Sequence, residues 1–309
     1  MMRIAIFDVS HWHFPLYIPV LTDPGITLVG ICDDKGFAGP EMARRLDCPL
    51  LSRDELLDLD FDFAMIFSRH SEMAATARMV IDKGRPFLIE KPCGLNTAEV
   101  AALRLAADKA GLFVAVPFIL RVSDLARELS QSGTLSPTGY RHLSFRFIVG
   151  SSTRYETNGC EWMLAKATAG GGSVLNVGVH FFDLLESLTE SRIISVTAQT
   201  KTFRKDIDID ELAMFTREFG FSVSHDAAYL QGFADQIVVK STDGALRHTT
   251  VEYNTDQFYP VFFRDALARC RAGRPPLVGL EEALRALSVV EAGYRSAEQG
   301  GAPVAVPQV

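Results

Sequence analysis

No Cys-x-x-Cys pair occurs in these 309 residues; the five cysteines, Cys32, Cys48, Cys93, Cys160 and Cys270, stand apart from one another. Zinc knuckles and paired redox thiols are thereby excluded, and an odd count without a secretory context reads as reduced thiols in a cytoplasm. No run of Lys and Arg interrupts a chain of net charge -7, so the electrostatic footprint of a nucleic-acid binder is missing. No long apolar run is present either. The longest, "LFVAVPFIL", falls well short of a bilayer span, and the N-terminal run ends at Asp8, too early for a signal peptide. The expectation is a soluble cytoplasmic protein with a small-molecule partner, no nucleic acid and no membrane. A fourth absence is local: glycine is missing from "IAIFDVSHWHF", where the first strand ends.

What is present is enough apolar material for a full core, 48% of residues. Short β-branched runs, "RIAIF", "TLVGIC", "FDFAMIF", "RPFLIEKP" and "LFVAVPF", alternate with helical patterns, which implies a doubly wound parallel sheet with helices on both faces. "SEMAATARMVIDKG" has Ser71 as a candidate N-cap and Gly84 as a stop; the next helix opens at Asn96, with Glu99 three residues on, and closes at Gly111. After Arg121 the rhythm changes to strand-like segments, "YRHLSFRFIVG", "RIISVTAQTKTF", "ELAMFTREF" and "DQIVVKST", with "TDG" at a turn. Two helical patterns, "FYPVFFRDALARCRAG" and "LEEALRALSVVEAGYRSAEQG", finish the chain. The reading is a Rossmann-like nucleotide-binding domain over 1–120 and an α+β substrate-binding and oligomerisation domain over 121–309. The latter carries a large, mainly antiparallel sheet, and the last helices pack back on the first domain.

A strand running into a helix start, followed by a second strand that ends in acid, is the layout of a dinucleotide site. In "TLVGICDDKG" the acids are Asp33 and Asp34, placed to accept hydrogen bonds from a ribose and to repel the extra phosphate of NADP, which favours NAD through Asp33. Paired acids after a strand are equally the mark of a solvated turn. Asp8, Ser10 and His13 hold the three glycine positions of the usual loop, yet a helix N-terminus there still offers amides, and Ser10 could cap it or donate to phosphate. Asp8, Ser10, His11 and Trp12 are therefore counted as cofactor contacts, although His11 and Trp12 also suit packing at a domain junction. A His-x-His pair without a third ligand gives no metal site.

"LIEKPCGLN", followed far downstream by "AGGGSVLNVGVHFFDLL", resembles the Gfo/Idh/MocA family of glucose-fructose oxidoreductase, inositol dehydrogenase and rhizopine catabolism. The resemblance runs through Arg121 and Gly133, Trp162 ahead of the triple glycine, and "EEALRALSVVEAGYRSA". It implies that Lys91 of "EKP", beside Glu90, and His180 line the place where nicotinamide meets a sugar-like alcohol, with Lys91 orienting the hydroxyl or moving its proton. A buried Lys or a His can be tuned toward neutral pH for that role. Asn176 stands where the family commonly has Asp; an amide cannot take a proton, so Asn176 is expected to bind substrate at the catalytic centre. Arg121, Trp162 and Asp183 are substrate-side candidates, Asp183 with a structural carboxylate as an equal alternative. Spacing puts Asn176, His180 and Asp183 near one helical face. Ser68, Arg69 and His70 of "SRHSEM" replace the family's usual residues at the nucleotide border, with Arg69 a possible phosphate or carboxylate contact. Arg154, Tyr155, His225 and Tyr229, in two later loops, suit a hydroxylated or acidic ligand.

The resemblance implies an NAD-dependent oxidoreductase acting on a CH-OH group of a sugar, cyclitol or related polyol, NADP being the less favoured cofactor, and a homodimer or homotetramer. Two alternatives stay open. One is a redox-assisted lyase or glycosidase that retains its NAD; the other is a non-catalytic, ligand-binding regulatory member.

Overall fold

The structure, a computed structural model, describes residues 1–131, 135–148, 151–211, 218–233, 235–252 and 254–309. Five strands, β1 (Met2–Phe7), β2 (Ile26–Cys32), β3 (Phe63–Ile66), β4 (Phe87–Ile89) and β5 (Val114–Ala115), form a parallel sheet in the order β2-β1-β3-β4-β5. β3 and β4 are buried at every position, which is why their sequences read as unbroken apolar runs rather than alternating ones. Strand order reverses between β1 and β3, and a crevice beyond the carboxyl ends of the strands is where such sheets place ligands.

The helix His70–Asp82 joins β3 to β4, and Thr97–Ala110 joins β4 to β5. Asn96 caps the second, accepting from the Glu99 amide at 3.0 Å, and Gly111 ends it. Ser71 does not cap the first. That helix begins at His70, with Arg69 as an N-cap that makes no side-chain capping bond, so Ser71 lies inside it. The crossover after β1 is shorter than the sequence suggests: a 3₁₀ turn, Phe14–Tyr17, runs into a single α-turn, Ile18–Leu21, with prolines at both starts.

The remaining strands are β6 (Tyr140–Ile148), β7 (Ser195–Val196), β8 (Glu218–His225), β9 (Ala228–Phe233), β10 (Gln236–Ser241), β11 (Leu246–Thr250) and β12 (Val304–Ala305). Five of them make an antiparallel sheet in the order β11-β10-β9-β8-β6. Alternation sends Val223, Leu230, Ile237 and Val239 inward against Leu184 and Leu188 of the helix Val179–Thr189, and leaves Tyr229 and Phe233 exposed on the other face. Of "RIISVTAQTKTF" only Ser195–Val196 is strand, because its partner β12 is itself two residues long. Gly133 and residues 212–217 of "ELAMFTREF" lie outside the described residues.

The last two helices return to the first sheet. Phe262 and Phe263 of Phe258–Arg271 enter the core that holds β1, and Leu280–Glu298 packs along Thr97–Ala110, with Glu291 accepting from the Thr97 amide at 2.7 Å. The second half of the chain thus supports the strand ends that carry Asp8, Ser68 and Lys91.

Candidate functional site

Each side chain that replaces a glycine after β1 is drawn away to a partner of its own. Asp8 takes φ +65°, the left-handed conformation that glycine usually supplies and that Asp tolerates better than most residues. Its carboxylate accepts from Arg53 Nη2 at 2.9 and 3.0 Å and from the Ser68 hydroxyl, which also touches Thr76. Ser10 donates to Asp33 at 2.6 Å and accepts from the amides of Phe37 and Ala38. It therefore caps the entry to Gly39–Leu46, not the turn after β1. His13 bonds Glu90 Oε1 through Nδ1 at 3.1 Å; with Nδ1 donating, Nε2 accepts from Tyr259 at 3.1 Å. The backbone path of a glycine loop is kept while its side chains fold back into the protein.

Asp33 accepts from the Ser10 and Gly39 amides as well as the Ser10 hydroxyl, three of its roughly four acceptor directions. A Cβ on Gly36 would lie 2.2 Å from both Asp33 Oδ1 and Ser10 Oγ, so this bend needs glycine. Asp34 stays half-exposed, 3.9 Å from Arg53 Nε. Around them opens a cleft at the ends of β1, β2 and β3, lined in part by Asp8, Ser10, Asp33, Phe37, Arg69 and Trp162. Phe37 is 65% exposed at its rim. Arg69 donates to the Lys35 carbonyl at 2.9 Å, and Lys35 pairs with Glu72.

Does this lining fit a dinucleotide? His11 accepts the His13 amide on Nδ1, which puts its proton on Nε2, and that nitrogen and Trp12 Nε1 are buried without an acceptor among the described residues. Buried donors left unpaired cost about 1–3 kcal/mol each, and two on one loop suit an anionic ligand such as a pyrophosphate. The residues fit: His11, Trp12 and Arg69 would face phosphates and Asp33 a ribose, while the Ser10 hydroxyl is already engaged by Asp33 and two amides.

At the end of β4, Lys91 is 2% exposed. Its Nζ donates to the Asn176 carbonyl at 2.7 Å and to Asn176 Oδ1, while Asn176 Nδ2 donates to the Tyr155 hydroxyl at 2.7 Å. Burial pulls the ammonium down to about 8, against the opposing pull of Glu90. Burial likewise holds His11, His13 and His180 well below the ordinary imidazole range, so all three are neutral. His180 Nδ1 has no partner among the described residues.

The triple glycine and a π-type turn, Val174–Gly178, bring Asn176 to Lys91. A Cβ on Gly172 would come within 2.0 Å of the Asp210 carbonyl, and Asp210 accepts from the amides of Gly172 and Val174. Such turns recur at functional sites because they re-aim one side chain.

The structure buries Lys91, Glu90, Asn176, His180 and His11, with Trp12 half-buried against His13, while Asp8, Ser10, His11, Asp33, Arg69 and Trp162 line the cleft itself. Trp162 lies edge-on to His70 at 4.9 Å, on the cleft side, and His70 Nδ1 bonds the Ala169 carbonyl at 2.8 Å. Arg121 and Asp183 are bonded to each other, at 2.6 and 2.8 Å, rather than turned to a ligand; burial outweighs the guanidinium and pushes Asp183 up to about 6. Ser68 is committed to Asp8 and Thr76. His225 bonds the Ser136 carbonyl and Tyr229 sits on the exposed sheet face, both away from Lys91. Arg53, Tyr17 and Tyr259, which complete the networks of Asp8 and Glu90, carry no motif that sequence alone would single out.

Residues 125–247 match the family model described as the GFO/IDH/MocA C-terminal domain. Among curated proteins, the chain is 31% identical over 147 residues to trans-1,2-dihydrobenzene-1,2-diol dehydrogenase of Sus scrofa, covering 45% of this chain and 41% of the relative. It is 29% identical over 139 residues to UDP-N-acetylglucosamine 3-dehydrogenase of Acidithiobacillus ferrooxidans, covering 44% and 43%. The matches thus span less than half the length of these relatives. The whole architecture superposes on the WlbA dehydrogenase from Bordetella pertussis, solved with NADH and UDP-GlcNAcA, at a TM-score of 0.84 with 18% identity over 100% of this chain and 98% of that one. It also superposes on levoglucosan dehydrogenase, solved with NADH, at 0.82 with 16% identity over 100% of both chains. Residues 125–247 thus match the C-terminal domain of the GFO/IDH/MocA family, and the chain shares its two-sheet fold with these solved dehydrogenases.

Proposed function

We propose that this protein is an NAD-dependent oxidoreductase that moves hydride to or from a secondary alcohol of a sugar, cyclitol or related polyol. The observation that carries the reading is Lys91: a buried amine with a pKa of about 8, held by Asn176 at the end of β4 and electrostatically coupled to the neutral imidazoles of His180 and His13, on the same sheet as the β1 loop whose His11 and Trp12 donors have no acceptor among the described residues. In the oxidising direction neutral Lys91 Nζ takes the hydroxyl proton, Asn176 holds the amine, and His180 Nδ1 bonds the same substrate. A bound nicotinamide dinucleotide would supply the hydride acceptor. Asp33, with one acceptor direction left, favours NAD over NADP. The exposed Tyr229 and Phe233 suit self-association through the outer sheet face.

Titration with NAD, NADP and their reduced forms, followed by thermal shift, tests the cofactor, since a ligand of the native state must raise its stability. Stabilisation by NAD at micromolar concentration, weaker for NADP, is expected; no shift with any form would remove the reading. Turnover is then tested with trans-1,2-dihydrobenzene-1,2-diol, levoglucosan and UDP-N-acetylglucosamine, the alcohols named for the relatives.

Asn176→Asp is expected to move the pH profile alkaline. A carboxylate against Lys91 Nζ favours the ammonium, so the amine becomes available only at higher pH. The kinetic pKa should rise by about one unit or more, with activity lost at neutral pH and retained at alkaline pH. An unchanged profile would mean that Lys91 is not the titrating group.

A further inference from the structure

We propose that Tyr155 is a further catalytic residue whose hydroxyl donates a hydrogen bond to the substrate oxygen at Lys91, an inference that rests on the function proposed above. The ammonium of Lys91 can only donate, so the Asn176 atom facing it is Oδ1, and Nδ2 must face Tyr155. Tyr155 Oη consequently accepts from Asn176 Nδ2 at 2.7 Å and, on its other side, from Arg154 Nη2 at 2.9 Å. Both incoming bonds use lone pairs, and the phenolic hydrogen itself has no acceptor among the described residues.

Tyr155 is 3% exposed, so water is a poor substitute partner for that hydrogen. The Arg154 guanidinium lies over the Tyr155 ring, 4.8 Å from its centroid, and helps to hold the ring in place. Lys91 is in the same position: an ammonium has three donors, and Asn176 takes two. Two unused donor hydrogens therefore flank one amide, Lys91 at its oxygen and Tyr155 at its nitrogen. A hydroxyl or carbonyl oxygen of the substrate is the acceptor that answers both.

The identity of residue 176 sets this polarity. A carboxylate there would accept from both neighbours and take the Tyr155 hydrogen; the amide reverses the bond and leaves that hydrogen for the ligand. A double-variant cycle reads the difference. Tyr155→Phe in the native background should lower kcat/KM for whichever of the three alcohols is turned over by about 10²-fold, as loss of one aimed donor does. The NAD-induced thermal shift and the kinetic pKa near 8 should not move. In the Asn176→Asp background, measured at the alkaline plateau, the same change should cost less than about tenfold, because the hydroxyl is already engaged. An equal loss in both backgrounds, a loss accompanied by a shifted kinetic pKa or a lowered NAD response, or no loss at all would overturn the proposal. If Lys91→Met retains activity, or the native protein turns over none of the alcohols, the reading of function fails, and this one with it.

Discussion

Lys91→Met is expected to lower kcat/KM by about 10²–10⁴-fold, the usual contribution of a positioned acid or base, while the protein remains folded and continues to respond to NAD. Methionine matches the stem of lysine in length and removes the buried ammonium. Burial disfavours that ammonium, lowering its pKa to about 8, but its removal leaves the Asn176 carbonyl and Oδ1 without their donor, so a stability loss of about 1–3 kcal/mol is expected, small against a native stability of about 5–15 kcal/mol. The sign of the pH dependence follows from the same shift. A lysine lowered from 10.5 to about 8 is protonated and unable to accept a proton below 8, so the native rate in the oxidising direction should rise with pH and level off above that value. The residual rate of the variant should have lost that limb. A variant that kept the limb would transfer the titration to another group; one that kept the rate would remove Lys91 from the chemistry.

The parallel sheet and the strand end that carries Lys91 were legible because both rest on local patterns: unbroken apolar strands for a sheet covered on both faces, and "EKP" directly after one of them. The Asn96 cap was legible for the same reason, its donor and acceptor being three residues apart. Other features needed contacts that no spacing encodes. Arg53 reaches Asp8 across 45 positions, and Tyr259 reaches His13 across 246. Without these partners, nothing in the sequence says what holds Asp8 and His13 in glycine positions. With them, each side chain is committed to a partner inside the protein. The mutual pairing of Arg121 and Asp183 was hidden in the same way, since helical periodicity places Asp183 on the face of His180 but says nothing of a guanidinium arriving from 62 residues earlier. Ser71 shows the reverse error, because a good capping residue type was overridden when the helix began at His70.

Glu90→Ala should produce the largest loss of stability, about 3–5 kcal/mol, the range found when one partner of a buried charged network is removed. The carboxylate is fully buried and serves three donors: the Lys91 amide at 2.8 Å, the Tyr17 hydroxyl at 3.1 Å and His13 Nδ1 at 3.1 Å. Alanine leaves all three without an acceptor, at about 1–3 kcal/mol for each that water cannot reach, and adds a cavity beside Tyr17 and Tyr259. Against a native stability of about 5–15 kcal/mol, this should appear as a large fall in the urea midpoint. Glu90→Gln, which keeps the shape and one acceptor oxygen, should fall by much less. Glu90 also raises the Lys91 pKa against the effect of burial, so in Glu90→Gln the kinetic limb should move below 8, opposite in sign to the shift expected of Asn176→Asp. The two variants thus bracket the native amine from either side. A limb that moved the same way in both, or a Glu90→Ala midpoint equal to the native one, would mean that the buried carboxylate neither holds the β1 loop to the end of β4 nor tunes the amine that follows it.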